Sequence, residues 1–327
     1  MPLPFEEIKR QLIVKHEAET DQSKGCSPEK RPTEMLLQYG IVNINKPPGM
    51  SSHQVSDAVK KILSVGKAGH SGTLDPGVTG VLPVAIAEAT RIVEYLLTAG
   101  KEYVCIMHLH KEVSEEKIKR LFEEFTGKIS QLPPVKSAVK RQWRERTVYY
   151  LDLLEIDGQD VLFRVGCQAG TYIRKLCHDM AQKLKVGAHM AELRRTKAGS
   201  FDESTLVTLQ DLKDAFYYYK EEGNDTYLRH CVQPMENAAR HLPKVYVFDS
   251  AIDSICHGSS LKVPGIAKLE SNIEKEDTVA MLSLKGELIG LGVAHATSED
   301  MLKEKGIAVK TNKVFMKPGT YKQPNAP

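Results

Sequence analysis

The segment AGHSGTLDPGVTGVLPV, residues 68–84, sets one carboxylate, Asp75, in a turn crowded with glycines and small hydroxyls. Glycines at 69, 72, 77 and 80 allow positive φ and close approach of the backbone to a ligand. Pro76 fixes φ just after the carboxylate and biases Asp75 away from helix. Taken alone, Asp-Pro-Gly is an ordinary turn. Other segments add to it: Asn45, Lys46, Pro47 and Pro48; His70, five residues before Asp75; and GTYIR, residues 170–174, with Tyr172 and Arg174. An arginine can hold a carboxylate through a bidentate pair, fixing its direction and keeping it ionised. An ionised, positioned Asp suits nucleophilic attack at a sugar carbon, or proton abstraction beside it, while aromatic side chains stack a planar substrate. There is no metal-ligand spacing, P-loop or dinucleotide fingerprint, so the chemistry is expected to run without a cofactor.

The elements that position these residues are readable from periodicity. GIVNINK is a short strand ending in a Pro-Pro-Gly turn, and Ser51 or Ser52 then caps a helix with Val55, Ala58, Val59, Ile62 and Leu63 on its apolar face. VLPVAIA is a strand and Arg91 to Leu97 a helix. In KEYVCIMHLH, Tyr103, Cys105, Met107 and Leu109 alternate as a half-buried strand, which puts Tyr103 near its beginning. Ser114 to Phe125 is helical, and TVYYLDLLEI and VLFRVGCQAG flank a turn at Asp157-Gly158. Thr171 is expected to cap the next helix, with Ile173, Leu176, Cys177, Met180, Ala181 and Leu184 inside. Arg174 then opposes the helix dipole, which suggests an anionic partner in front of that helix.

A chain of 327 residues with 41% apolar content can build a large core and a smaller second domain. The first 39 residues mix charges with Pro and Ser, as an extension that docks elsewhere or stays mobile. Beyond Pro243, KVYVF, TVAMLSL, ELIGLGVAHA and AVKTNKVFM read as short strands. Six separated cysteines without a C-x-x-C pair fit free thiols in a reducing cytosol, and no apolar run reaches membrane-spanning length. The expectation is a cytoplasmic chain with no membrane partner. A net charge of +3 permits a nucleic-acid partner without demanding one. Basic residues cluster at 136–146 around Trp143, at 173–175 and at 193–197, which together point to phosphates.

GHSGTLDP, with INKPPGMSS upstream, KEYV downstream, GTYIRKLCHD and LRRTKAGSF, resembles the TruB-type pseudouridine synthase family. More closely, the chain is similar to the archaeal relatives of dyskerin, the catalytic subunit of H/ACA guide ribonucleoproteins. The resemblance runs from Gly40 to the C-terminus, where the β-rich segment resembles a PUA domain. It implies an α+β fold with three parts: a catalytic domain over a mixed, largely antiparallel sheet at 40–243, a PUA RNA-binding domain at 244–320, and an N-terminal extension, 1–39, packed on the PUA domain, leaving a tail at 321–327. It implies isomerisation of uridine in RNA, with Asp75 as the catalytic aspartate, Arg174 as the arginine pairing with it and Tyr103 stacking on the uracil. Tyr172 would pack beneath the ring, Lys46 with Pro47 would support the pocket, and His70 would lie near the entry of the flipped nucleotide. Implied partners are guide RNA, substrate ribosomal or transfer RNA and small core proteins. HLHKEVSEEKI and KSAVKRQWRERTVYYL lack the added segments of stand-alone bacterial relatives, favouring guide dependence over a stand-alone synthase of the tRNA T-arm. A non-catalytic RNA scaffold would not need Asp75, Tyr103 and Arg174 together. Two departures are Gly77, where lysine is usual in dyskerin-like chains, and Cys177, where an aliphatic residue is usual.

Overall fold

The computed structural model describes residues 2–133 and 140–322, so the first part of the 136–146 cluster and most of the tail lie outside it. The chain forms two compact units, one of residues up to Glu7 with Ile41–Val232 and one of Ile8–Gly40 with residues from Gln233 onward. The N-terminal extension is therefore divided between them.

In chain order the strands are β1 (Leu12–Val14), β2 (Gly40–Lys46), β3 (Ala68–His70), β4 (Thr79–Ile86), β5 (Lys101–Leu109), β6 (Gly127–Gln131), β7 (Arg144–Asp157), β8 (Asp160–Cys167), β9 (Ala188–Ala198), β10 (Phe201–Asp202), β11 (Val232–Pro234), β12 (Lys244–Val247), β13 (Leu261–Lys262), β14 (Ile266–Glu270), β15 (Thr278–Leu282), β16 (Leu288–Ala294) and β17 (Ile307–Val314). The sheet of the first unit runs β2-β4-β9-β5-β8-β7-β6, with β3 on β4 and β10 on β9. Its pairings are antiparallel apart from β4 with β9, which run parallel where Thr79 faces Arg194 and Gly80 faces Arg195. This joint places the loop that enters β4 beside the middle of β9.

The helix Ser52–Ile62 begins in a capping box between Ser51 and Gln54 and buries Val55 and Val59. The helices Glu115–Phe125 and Ile173–Leu184 cover one core built on β5, β7 and β8. There Phe122 and Phe163 meet edge to face, 5.3 Å between centroids at 62°. The helix 173–184 buries Ile173, Leu176, Cys177, Met180 and Ala181, which turns Arg174 outward at its first turn. Thr171 does not cap this helix. Tyr172 holds the cap position without a side-chain cap, and the Thr171 hydroxyl donates back to the Gln168 carbonyl at 2.7 Å.

The second unit is a seven-stranded sheet in the order β1-β14-β12-β15-β16-β17-β13. β1, from the N-terminal extension, pairs antiparallel with β14. Nearby, buried Arg31 makes a two-pronged pair with Glu236 at 2.6 and 2.9 Å, and Glu236 also accepts from the Leu288 N–H.

Gly80 is required by the β4–β9 joint. Its φ is +97°, and a Cβ there would lie 2.2 Å from the Arg195 carbonyl oxygen. Gly80→Ala is expected to cost at least ~2 kcal/mol, because strain and a backbone clash coincide. Urea unfolding checks this, and an unchanged midpoint would show that the joint separates without loss.

Candidate active site

Asp75 lies between β3 and β4, on a loop whose carbonyls have no continuous ladder to join. Side chains gather them instead. Lys46, the last residue of β2 and fully buried, donates through Nζ to the carbonyls of Pro47 (3.0 Å), Pro76 (3.0 Å) and Val78 (2.8 Å). Ser52 accepts from the Leu74 N–H at 2.8 Å and donates to the Leu74 carbonyl at 3.2 Å. Arg195, 1% exposed, donates to the carbonyls of Val81 (2.7 Å) and Gly72 (3.4 Å). Burial lowers the Lys46 ammonium from its usual range; the Asp75 charge opposes that shift and Arg195 adds to it.

Arg174 reaches Asp75 from the start of its helix, with Nη2 2.6 Å from Oδ2. The contact is single, and the side chains of Arg174 and Asp75 are 61% and 53% exposed. A pair this open adds ~1 kcal/mol or less to stability, so its value lies in aiming the carboxylate. The helix start is held by Gln131, a buried residue at the end of β6, whose amide accepts from the Tyr172 N–H (3.0 Å) and donates to the Tyr172 carbonyl (3.2 Å).

Tyr103 is half-buried on β5. A register shift between Glu102 and Tyr103 places Arg195 opposite Tyr103, and the two side chains are hydrogen-bonded. Burial raises the Tyr103 phenol, and the Asp75 charge is close enough to push the same way. Burial likewise lowers the Arg195 guanidinium, and its hydrogen bond to Tyr103 opposes this. His70 is lowered by burial, then by Arg195 and His53, so its neutral ring can accept from the Gly72 N–H at 3.3 Å.

Asp75, Arg174, Tyr103, Lys46 and Pro47 thus form one constellation, with His70 at the loop's entry and Tyr172 at the helix start. The cations of the cluster at 193–197 are engaged within the chain. Arg195 is interior, Arg194 pairs with Glu203 at 2.7 Å, and Lys197 pairs with Glu6 at 2.9 Å. In the 173–175 cluster, Lys175 pairs with Asp179. Trp143, by contrast, is 67% exposed. Sequence reasoning missed Arg195, Ser52 and Gln131 as supports. The alternation of Arg194 and Arg195 on a strand was the available signal, since period two turns one of them inward.

The chemistry offered is an exposed carboxylate aimed by a guanidinium, on a rigid loop, beside a neutral phenol ring. Residues 60–173 match the TruB family pseudouridylate synthase (N terminal domain), and residues 174–240 the tRNA pseudouridylate synthase B C-terminal domain. A Methanopyrus kandleri protein named "Probable tRNA pseudouridine synthase B" is 56% identical over 320 residues, covering 98% of this chain and 94% of its own length. The chain belongs to the TruB family of pseudouridine synthases. As a TruB-family enzyme it isomerises uridine to pseudouridine. Residues 243–315 match the PUA domain and residues 2–56 the DKCLD (NUC011) domain. The chain is also similar, at 55% identity and a TM-score of 0.93 over 98% of both chains, to one in a crystal structure of a Cbf5-Nop10-Gar1 complex. A structure of an H/ACA RNP bound to a substrate RNA containing 2'-deoxyuridine aligns at TM-score 0.92 and 53% identity, covering 98% of this chain and 99% of its counterpart.

One further buried cation belongs to this TruB unit. Lys101, 5% exposed, donates to the carbonyls of Leu96, Leu97 and Ala99 at 2.8, 2.8 and 2.6 Å. Burial, reinforced by Arg195, pushes its ammonium down to about 7. The unfolded chain releases that proton only near pH ~10.4, so between these values it holds one more proton than the folded chain. Folding is therefore favoured as pH rises through this window, by up to ~1.4 kcal/mol per pH unit. The stability gap between wild type and Lys101→Met should widen in favour of wild type from pH 7 to 9 in urea titrations. A constant gap would exclude this role.

Proposed function

We propose that this pseudouridine synthase is the catalytic subunit of an archaeal-type H/ACA ribonucleoprotein, directed by guide RNA to uridines of ribosomal RNA and also acting on the tRNA T-arm. The observation that carries this reading is near-complete alignment, 98% of both chains, with a chain solved in a Cbf5-Nop10-Gar1 complex. β5 ends at Leu109 and the next helix begins at Glu115, which leaves only a short turn where a stand-alone enzyme carries added RNA-gripping structure. Guide RNA and small core proteins supply that grip. Residues 244–320 hold the guide RNA. Six free thiols suit the reducing cytoplasm.

In the reaction the N1–C1′ bond of uridine breaks and a C5–C1′ bond forms; the C5 proton is lost and N1 gains one. Asp75 is the catalytic carboxylate, aimed by Arg174. Tyr103 stacks on the uracil, Tyr172 packs below it, and Lys46 with Pro47 fixes the floor of the pocket. His70 meets the nucleotide as it enters. The base must leave its stack to reach Asp75, at a cost of a few kcal/mol that falls when it is already unpaired.

Pseudouridine mapping after incubation with tRNA alone, and then with guide RNA, target RNA and core proteins, tests this assignment. Product in both arms supports it in full; product only in the second arm keeps the guide-directed assignment and removes the tRNA activity; product with tRNA alone favours a stand-alone enzyme. Asp75→Asn should reduce turnover at least ~100-fold with RNA binding retained, since shape is kept and charge lost. Residual turnover within ~10-fold of wild type would remove Asp75 from this role. Arg174→Lys should lose ~10-fold or more, because a point charge does not reproduce the guanidinium fork.

A further inference from the structure

One carboxylate of β5 is buried. Glu102, 5% exposed, accepts from the Thr196 hydroxyl of β9 on Oε1 at 2.7 Å and from the Tyr150 phenol of β7 on Oε2. Tyr150 reaches it by crossing β8. Gly166 of that strand stands between Tyr150 on one side and Glu102 on the other, and a Cβ there would lie 2.3 Å from the Tyr150 ring. The missing side chain is what lets a residue of β7 bond to one of β5. Burial raises the Tyr150 phenol and the bond to Glu102 raises it further, so the hydroxyl stays protonated and donating.

The bond to Thr196 falls at an irregularity of the ladder. Glu102 faces Lys197, yet the next residue, Tyr103, faces Arg195, so Thr196 is an extra residue on β9. A second irregularity lies at the same rung: Val148 faces Cys167 and Tyr150 faces Gly166, which leaves Tyr149 extra on β7. Without the extra residue on β9, Tyr103 would face Thr196, and Arg195 would face Val104 on the opposite side of the sheet. A bulge leaves its extra residue out of the regular pairing, and here a side-chain bond fixes that residue.

We propose that Glu102 is a positioning residue: held by Tyr150 across Gly166, it pins Thr196 as the bulged residue of β9 and so keeps Arg195 turned inward beneath Tyr103. Its consequence for turnover rests on the reading of Tyr103 as the ring that meets the uracil, whereas its hold on Arg195 does not. Both donors to Glu102 are neutral hydroxyls, so the role calls for acceptor geometry rather than charge.

The test compares Glu102→Leu, Glu102→Gln and Thr196→Val in the full-length chain. Phenylglyoxal, an arginine reagent, followed by peptide mapping reads the exposure of Arg195, and turnover is measured with guide RNA, target RNA and core proteins. In the wild type Arg195 should stay unmodified, while Arg194, its side chain 38% exposed, is the reactive comparator. Glu102→Leu deletes both acceptors, and Thr196→Val keeps the shape of the bulged residue but deletes its donor. Each should speed modification of Arg195 at least ~10-fold and lower kcat ~10-fold or more with RNA affinity retained. Glu102→Gln should restore both, since its amide accepts from one hydroxyl and donates to the other, which turns to receive it. Circular dichroism verifies that each variant is folded, and Thr196→Val carries the test if Glu102→Leu is not. Arg195 modified as slowly in Thr196→Val as in the wild type, or Glu102→Gln as impaired as Glu102→Leu, would overturn the inference. Faster modification of Arg195 with turnover unchanged would leave Glu102 in this role and overturn the reading of Tyr103 instead.

Discussion

Everything at the site depends on how the backbone carbonyls around Asp75 are satisfied. A loop that presents a side chain to solvent on one face and packs on a sheet with the other cannot pair its carbonyls in a ladder, yet buried carbonyls left unpaired are expensive. Lys46 takes three of them and Arg195 two, both from inside the protein. These buried cations are met by carbonyl dipoles in place of a buried carboxylate, which is why burial lowers both. Five hydrogen bonds from two buried side chains hold the loop from beneath.

Two of the arginine–carboxylate pairs among the described residues show how burial changes meaning. Asp75 with Arg174 is open to solvent and joined by one contact, so it contributes aim and little stability. Arg31 with Glu236, at 7% and 12% exposure, is two-pronged, and Glu236 also serves the Leu288 N–H. Removing one partner there strands a buried charge, which makes the pair structural. Of these two, only the Asp75–Arg174 pair is open to solvent.

Much of the frame was legible from apolar spacing. The helices at 52–62, 115–125 and 173–184 and the strand carrying Tyr103 follow their periodicities, since burial of one face dominates such elements. β9 was not legible. AELRRTKA reads as a charged stretch, because its partners, Glu203 for Arg194, Glu6 for Lys197 and the carbonyls for Arg195, lie elsewhere in the chain. The same limit hid Gln131 and the second role of Ser52, whose bonds run to residues 41 and 22 positions away.

Residue type and order alone determined that Asp75 is presented on a glycine-rich turn and that Arg174 begins a helix, because local backbone preference and helical periodicity act over a few residues. Family membership was likewise carried by the motifs themselves. Only the tertiary structure decided that Arg174 faces Asp75 across 99 positions of sequence and that Arg195 turns inward beneath Tyr103. The reason is physical. A strand's register and a bulge within it depend on the partner strand, and whether an arginine is solvated or buried depends on acceptors that only folding brings within reach.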